Sequence, residues 1–161
     1  MASLELFSWD DSYNVGIQEV DEQHKVLVSL LNQLHTAIVE HHGKSTSREI
    51  LDRLAEYTRT HFLLEESLMR LTHYPGFDIH KEQHEALIKQ VQDLQTKLDQ
   101  ENITITFELL HFLKNWLMQH INESDQRFGK HFKTAGLQQY STWSKEVEST
   151  MKKKKWWWKF W

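Results

Sequence analysis

The sequence predicts an all-α protein: an up-down-up-down antiparallel four-helix bundle with an N-terminal arm and a short C-terminal helix and tail. Three observations carry that expectation. Apolar residues recur at steps of three and four through four long stretches, the period of a single helix face. Short polar or glycine-containing turns separate the stretches, so successive helices fold back as antiparallel neighbours. The 161 residues include only five glycines and one proline, Pro75, which leaves few helix breakers.

Residues 1–18 read as an irregular arm, anchored by Leu4, Leu6, Phe7 and Trp9 and turning near Asn14 and Gly16. The first helix is expected over 19–41, with Val20, His24, Leu27, Leu31, Leu34 and Ile38 on its inward stripe. Gly43 begins a turn, and Ser45 or Ser47 is suited to cap a second helix over 47–72, with Glu49 in its first turn. That helix turns Ile50, Leu54, Tyr57, His61, Glu65 and Leu68 inward, and Pro75-Gly76 closes the hairpin. The third helix, over 77–99, carries His80, His84, Leu87, Val91, Leu94 and Leu98 on one face. A polar turn around Gln100 leads to a fourth helix over 104–128, inward through Leu109, Leu113, Trp116 and His120; Ile103-Thr-Ile-Thr has some β propensity but not enough for a strand. Beyond Gly129 the pattern weakens, although Trp143, Val147 and Met151 at four-residue spacing predict a short fifth helix. The expected organisation is therefore an arm (1–18), a bundle (19–132) and an extension (133–161).

Composition narrows the function. Cysteine is absent, which removes disulfides, thiolate zinc sites and iron–sulfur clusters together. The segment KKKKWWWKFW, from Lys152 to Trp161, holds five lysines; subtracting their +5 from the net −4 leaves −9 on residues 1–151. An acidic body argues against nucleic-acid binding. No basic region with an apolar core opens the chain, and no apolar run reaches the roughly 18 residues of a membrane span, so a cytoplasmic location is expected. Lysines beside tryptophans suit a membrane interface, which makes residues 152–161 a candidate peripheral anchor; a solvated appendage is the alternative.

The chemistry concentrates in HFLLEESLMRLTHYPGFDIHKEQH, residues 61–84. His61 and Glu65, then His80 and His84, each lie four residues apart, about one helical turn, on either side of the hairpin. His24 and His120 occupy equivalent slots in the other two stripes. A lone inward histidine is more often a hydrogen-bonded core residue than a ligand. Several inward polar positions in four facing helices are costly to bury unless they converge on a shared partner such as a metal ion. Asp125 lies five residues after His120, about 140° away in a regular helix, and periodicity leaves it either an exposed acid or a site member brought in by a π-type widening. Five histidines and two carboxylates exceed the four ligands of a structural zinc and suit two ions; ligand type alone fits iron, manganese, zinc or copper. His80-Lys-Glu-Gln-His84 lacks the second-position glutamate of zinc proteases. Only Glu108-Leu-Leu-His111 matches the Glu-x-x-His pairs of ferritin-like sites, and His111 faces away from His120. His35, His41, His42, His73 and His131 are expected to be structural or solvent-facing.

Asp21-Glu-Gln-His24, His61-Phe-Leu-Leu-Glu65-Glu66, His80-x-x-x-His84 and His120-x-x-x-x-Asp125 together resemble hemerythrin, and specifically the bacterial hemerythrins, over residues 5–132. Trp9 and Gly16-Ile17 add to the likeness. The resemblance implies a non-haem di-iron centre. One iron would be held by His80, His84 and His120, the other by His24 and His61. Glu65, Asp125 and an oxygen atom would bridge them, and the two-histidine iron would keep an open position for O2. Leu27, Trp116, Leu117 and Ile121 would line the O2 pocket. The implied role is reversible O2 binding for storage, transport or delivery rather than enzymatic turnover. An O2 or redox sensor, a di-iron peroxide or NO scavenger, and an iron-supplying repair protein are the alternatives.

Overall fold

The computed structural model describes residues 5–100, 105–135 and 147–151. Leu4, the turn after Gln100, Trp143 and the lysine–tryptophan segment lie outside them. Four long helical stretches form the bundle: α1, Gln18–Val39; α2, Lys44–Leu71; α3, Phe77–Gln100; and a fourth run beginning with α4, Phe107–Gln119. That run continues through a π-helical turn, His120–Asp125, into α5, Gln126–Thr134. Among the described residues there is no strand.

Helix ends are set by local chemistry. At the end of α1, His42 N–H reaches the Ala37 carbonyl and His41 N–H the Ile38 carbonyl, with His41 at φ 54°. This is a Schellman ending with histidine at the left-handed position usually given to glycine. Gly43, at φ 93°, then redirects the chain straight into α2. The second helix consequently starts at Lys44, earlier than expected, and Ser45 and Ser47 lie inside its first turn instead of capping it. The end of α2 repeats the device through His73, at φ 52°, with Tyr74 N–H on the Met69 carbonyl. Thr106 caps α4 by accepting from Leu109 N–H at 3.3 Å.

The fourth run does not stop at Gly129. That glycine is buried within α5, and a Cβ built on it would lie 2.2 Å from the Val15 carbonyl oxygen. It serves close approach of the arm, not termination. The arm itself is fastened by sequence-local and distant bonds. Phe7, buried, exchanges backbone hydrogen bonds with the Asn32 side chain at 2.9 and 2.8 Å. Val15 N–H donates to Asp21 Oδ1 at 2.7 Å.

Two apolar clusters fill the interior. The first holds Leu27, Leu31, Leu54, Phe62, Leu87, Val91, Leu110 and Leu113. The second holds Val15, Ile17, Val20, Leu64, Leu68, Met69, Ile121, Phe128 and Phe132. Val147 and Met151, in the helical segment 147–151, pack against the second. Along α1 and α2 the inward polar residues fall between these clusters, so a polar layer crosses the bundle with apolar packing above and below it.

Candidate metal centre

All seven residues singled out in the sequence meet in that layer, and each is at most 6% exposed. His24 comes from α1, His61 and Glu65 from α2, His80 and His84 from α3, and His120 and Asp125 from the π turn. The four-residue spacings work as helical geometry requires. The five-residue spacing works because a π turn has a wider repeat, which rotates Asp125 back toward the face of His120.

The donors fall into two overlapping groups. Glu65, His80, His84, His120 and Asp125 form one, and His24, His61, Glu65 and Asp125 the other, each with its donor atoms mutually within 4.8 Å. Both carboxylates belong to both groups, and their oxygens are divided between them. Glu65 Oε1 lies 3.4 Å from His24 Nε2 and 3.2 Å from His61 Nε2. Its Oε2 lies 3.4 Å from His80 Nε2 and 3.2 Å from His84 Nε2. Asp125 places Oδ2 3.0 Å from His24 Nε2, and Oδ1 3.0 and 3.2 Å from His80 and His120 Nε2.

These contacts are at ion-pair distance, yet among the described residues all four carboxylate oxygens and the Nε2 atoms of His24 and His80 lack a hydrogen-bond partner. Buried polar atoms seldom stay unsatisfied. Their lone pairs converge on shared points, as ligands of an ion do. His84 Nε2 and His120 Nε2 are 3.0 Å apart. That is the spacing of two ligands at right angles, each about 2.1 Å from one ion. The residues present therefore fit a pair of metal ions.

The electrostatics agree. Burial is the largest influence on Glu65 and on Asp125 and opposes ionisation, but the surrounding imidazoles outweigh it and hold both carboxyls well below the usual range. For His24 and His80 burial again acts first, against the charged ring; contacts with Asp125 and Glu65 outweigh it and raise each to about 9. Burial keeps His61 below its ordinary value. The metal-free layer thus neutralises its two carboxylates with protons that an ion would displace.

Apolar and aromatic groups enclose the layer. Phe62 stacks on His84 with ring centroids 3.6 Å apart, and Trp116 stacks on His120 at 4.5 Å. Both rings also line a cavity of about 40 Å³ shared with Leu27, Leu31, Leu87, Leu113 and Leu117. Of the residues expected around O2, Leu27, Trp116 and Leu117 line this cavity; Ile121 is fully buried in the second cluster, which Leu117 also touches. Larger grooves lie at the opposite end of the bundle and beside the arm, and neither is lined by any of the seven donors.

Periodicity overlooked three residues that touch these histidines. Phe62 is one. The others are Gln23, whose Oε1 is 2.8 Å from His61 Nδ1, and Glu66, whose Oε2 is 3.0 Å from His84 Nδ1. Each follows or precedes a donor in the chain and stands within the motifs that carry the resemblance, but nothing in the sequence gave it a contact.

Known proteins resemble the chain in sequence and fold. A family profile described as the hemerythrin HHE cation binding domain matches residues 15–131. A bacteriohemerythrin of Stenotrophomonas maltophilia is 35% identical over 138 residues, 86% of this chain and 88% of that protein. One from Pseudomonas aeruginosa is 36% identical over 119 residues, 73% and 75% of the two chains. A crystal structure of wild-type hemerythrin superposes with a TM-score of 0.75 at 28% identity, covering 79% of this chain and 98% of that one. The chain belongs to the hemerythrin family.

Proposed function

We propose that the chain holds two iron ions and binds O2 reversibly, for storage, transport or delivery. The observation that carries this reading is the division of Glu65 and Asp125, each turning one oxygen toward His24 and the other toward His80. On this reading His80, His84 and His120 would hold one iron and His24 and His61 the other, with Glu65 and Asp125 donating to both. The two-histidine group has fewer protein donors, four against five, which would leave its ion the position for a small ligand. Two ferrous ions, when bound, supply the open coordination position and the reducing electrons that O2 capture requires.

The chain's own residues do the rest. Five imidazoles against two carboxylates leave the centre less anionic than a carboxylate-rich site, which favours binding over oxygen-splitting chemistry. Leu27, Trp116 and Leu117 keep water and protons from the open side. The hydroxyl in the cavity lining, on Thr58, donates to the Leu54 carbonyl at 2.7 Å, which further favours binding over turnover. Anaerobic loading with iron(II), then spectra under O2 and under argon, tests the reading. Two irons per chain and charge-transfer bands that come and go with O2 support it. Irreversible oxidation with sustained turnover of an added substrate replaces it with an enzyme.

Residues 152–161 support peripheral attachment of this carrier to the cytoplasmic face of a membrane. Among the described residues no helix is long and apolar enough to cross one. Each lysine near an anionic surface contributes about 1 kcal/mol, and the tryptophans suit headgroup depth. Co-sedimentation with phosphatidylglycerol vesicles is expected for the full chain and lost on removing 152–161; equal binding by both forms rules the segment out as an anchor.

A further inference from the structure

The inward histidines are not held alike from behind. His84 turns Nε2 into the centre, 3.2 Å from Glu65 Oε2, so its proton resides on Nδ1 and is donated to Glu66 Oε2 at 3.0 Å. His61 repeats the arrangement with Nε2 3.2 Å from Glu65 Oε1, but its Nδ1–H meets the Gln23 side-chain carbonyl at 2.8 Å. Both outer partners are buried, and each reaches from one helix to the next: Gln23 from α1 to α2, Glu66 from α2 to α3. His24 Nδ1, by contrast, has no hydrogen-bond partner among the described residues. One outer partner is thus a carboxylate and the other a neutral amide.

The geometry points to a use for that inequality: Glu66 and Gln23 tune the two metal positions apart, Glu66 making the three-histidine position electron-rich and Gln23 leaving the two-histidine position less so. An imidazole N–H held by a carboxylate gains basicity and becomes a stronger donor to a metal on its other nitrogen, and an amide carbonyl does this less. A stronger donor stabilises ferric over ferrous iron. An iron at the position backed by Glu66 would therefore have the lower potential, and one at the two-histidine position, with fewer protein donors, the higher. Glu66 and Gln23 act through His84 and His61 and are positioning residues. The inference rests on the two-iron reading above.

Isosteric exchanges in the full chain test it. Iron(II) affinity and stoichiometry are measured anaerobically, and the potentials of the two irons by spectroelectrochemistry. Glu66→Gln is expected to weaken iron(II) binding about tenfold and move the lower of the two potentials positive. Gln23→Glu is expected to move the higher one negative, narrowing the gap from the other side. A merely structural role predicts weaker binding in both variants with no reversal of sign, and that outcome, or unmoved potentials, overturns the inference while leaving two irons in place. A wild-type chain that takes up fewer than two irons overturns the two-iron reading and this inference with it.

Discussion

His120 and Asp125 face the same point, Nε2 to Oδ1 at 3.2 Å, although they lie five positions apart in one uninterrupted helical run. The π turn between them makes this work, and it gives Asp125 a position from which its two oxygens serve both donor groups. Asp125→Asn keeps the shape but removes the charge and one of the two oxygens proposed to bridge the ions. Iron content is expected to fall below two per chain, with affinity reduced more than about a hundredfold, beyond the loss typical of an outer partner. Elemental analysis after anaerobic loading and desalting measures it; an undiminished pair of irons would remove Asp125 from the bridge.

Most of this layer was legible in the chain because inward polar residues interrupt apolar stripes at helical intervals. His24, His61, Glu65, His80, His84 and His120 all stand out that way. Asp125 did not, since a regular helix points it elsewhere and only the resemblance placed it with the rest. Gln23 and Glu66 stood in the motifs without a role for a different reason: a neighbour in sequence is rotated about 100° around the helix, so its partner belongs to another helix and only packing shows it. The early start of α2 and the passage of the fourth run beyond Gly129 depend likewise on contacts that local signals do not contain. Gly43 redirects the chain at a left-handed φ, and Gly129 makes room for Val15.

Protons and metal compete for His24 and His80. Both rings are raised to about 9 in the metal-free chain, so at pH 7.5 each carries a proton that iron must displace. Loading at that pH is expected to release about two protons per chain, and apparent affinity should climb until pH passes about 9. Metal-free stability runs the opposite way. A raised folded-state value stabilises fully below the ordinary 6.5 and is lost as pH rises through about 9. Glu65 and Asp125, depressed in the fold, contribute above the usual carboxylate range and lose that contribution in acid. Dye-monitored proton release in weak buffer, with metal-free melting curves from pH 4 to 10, checks both directions. Release of no protons at pH 7.5 contradicts the charge state assigned to the layer.

Leu117 lines the small cavity beside Trp116 and is only half-buried, so shortening it opens the wall at modest cost to folding. Leu27 is fully enclosed, and its removal carries the about 2–5 kcal/mol expected of a core leucine. Leu117→Ala is therefore the cleaner variant. Water reaching the open side should shorten the life of the oxygenated state several-fold while iron content stays at wild-type level. Stopped-flow mixing with O2, followed to full oxidation, gives the lifetime. Equal lifetimes would separate the apolar wall from protection of the centre.

Gly129 sets how closely the arm lies on the fourth helical run. A methyl group there would sit 2.2 Å from the Val15 carbonyl oxygen, and that contact is to backbone, which has no rotamer to escape into. Val15 N–H is at the same time tied to Asp21 Oδ1, two residues from Gln23 and three from His24. Gly129→Ala therefore has to lift the arm or bend α5, and a loss of about 3 kcal/mol is expected, at the upper end for overpacking. Alanine is the better helix former, so an exposed site would have shown the opposite sign. The displacement should also loosen the start of α1, exposing the Val15 and Gly16 amides to hydrogen exchange before the rest of the bundle. Thermal melting gives the stability change, and exchange at those two amides locates it. A variant as stable as wild type, with both amides still protected, would mean that the arm does not rest on Gly129.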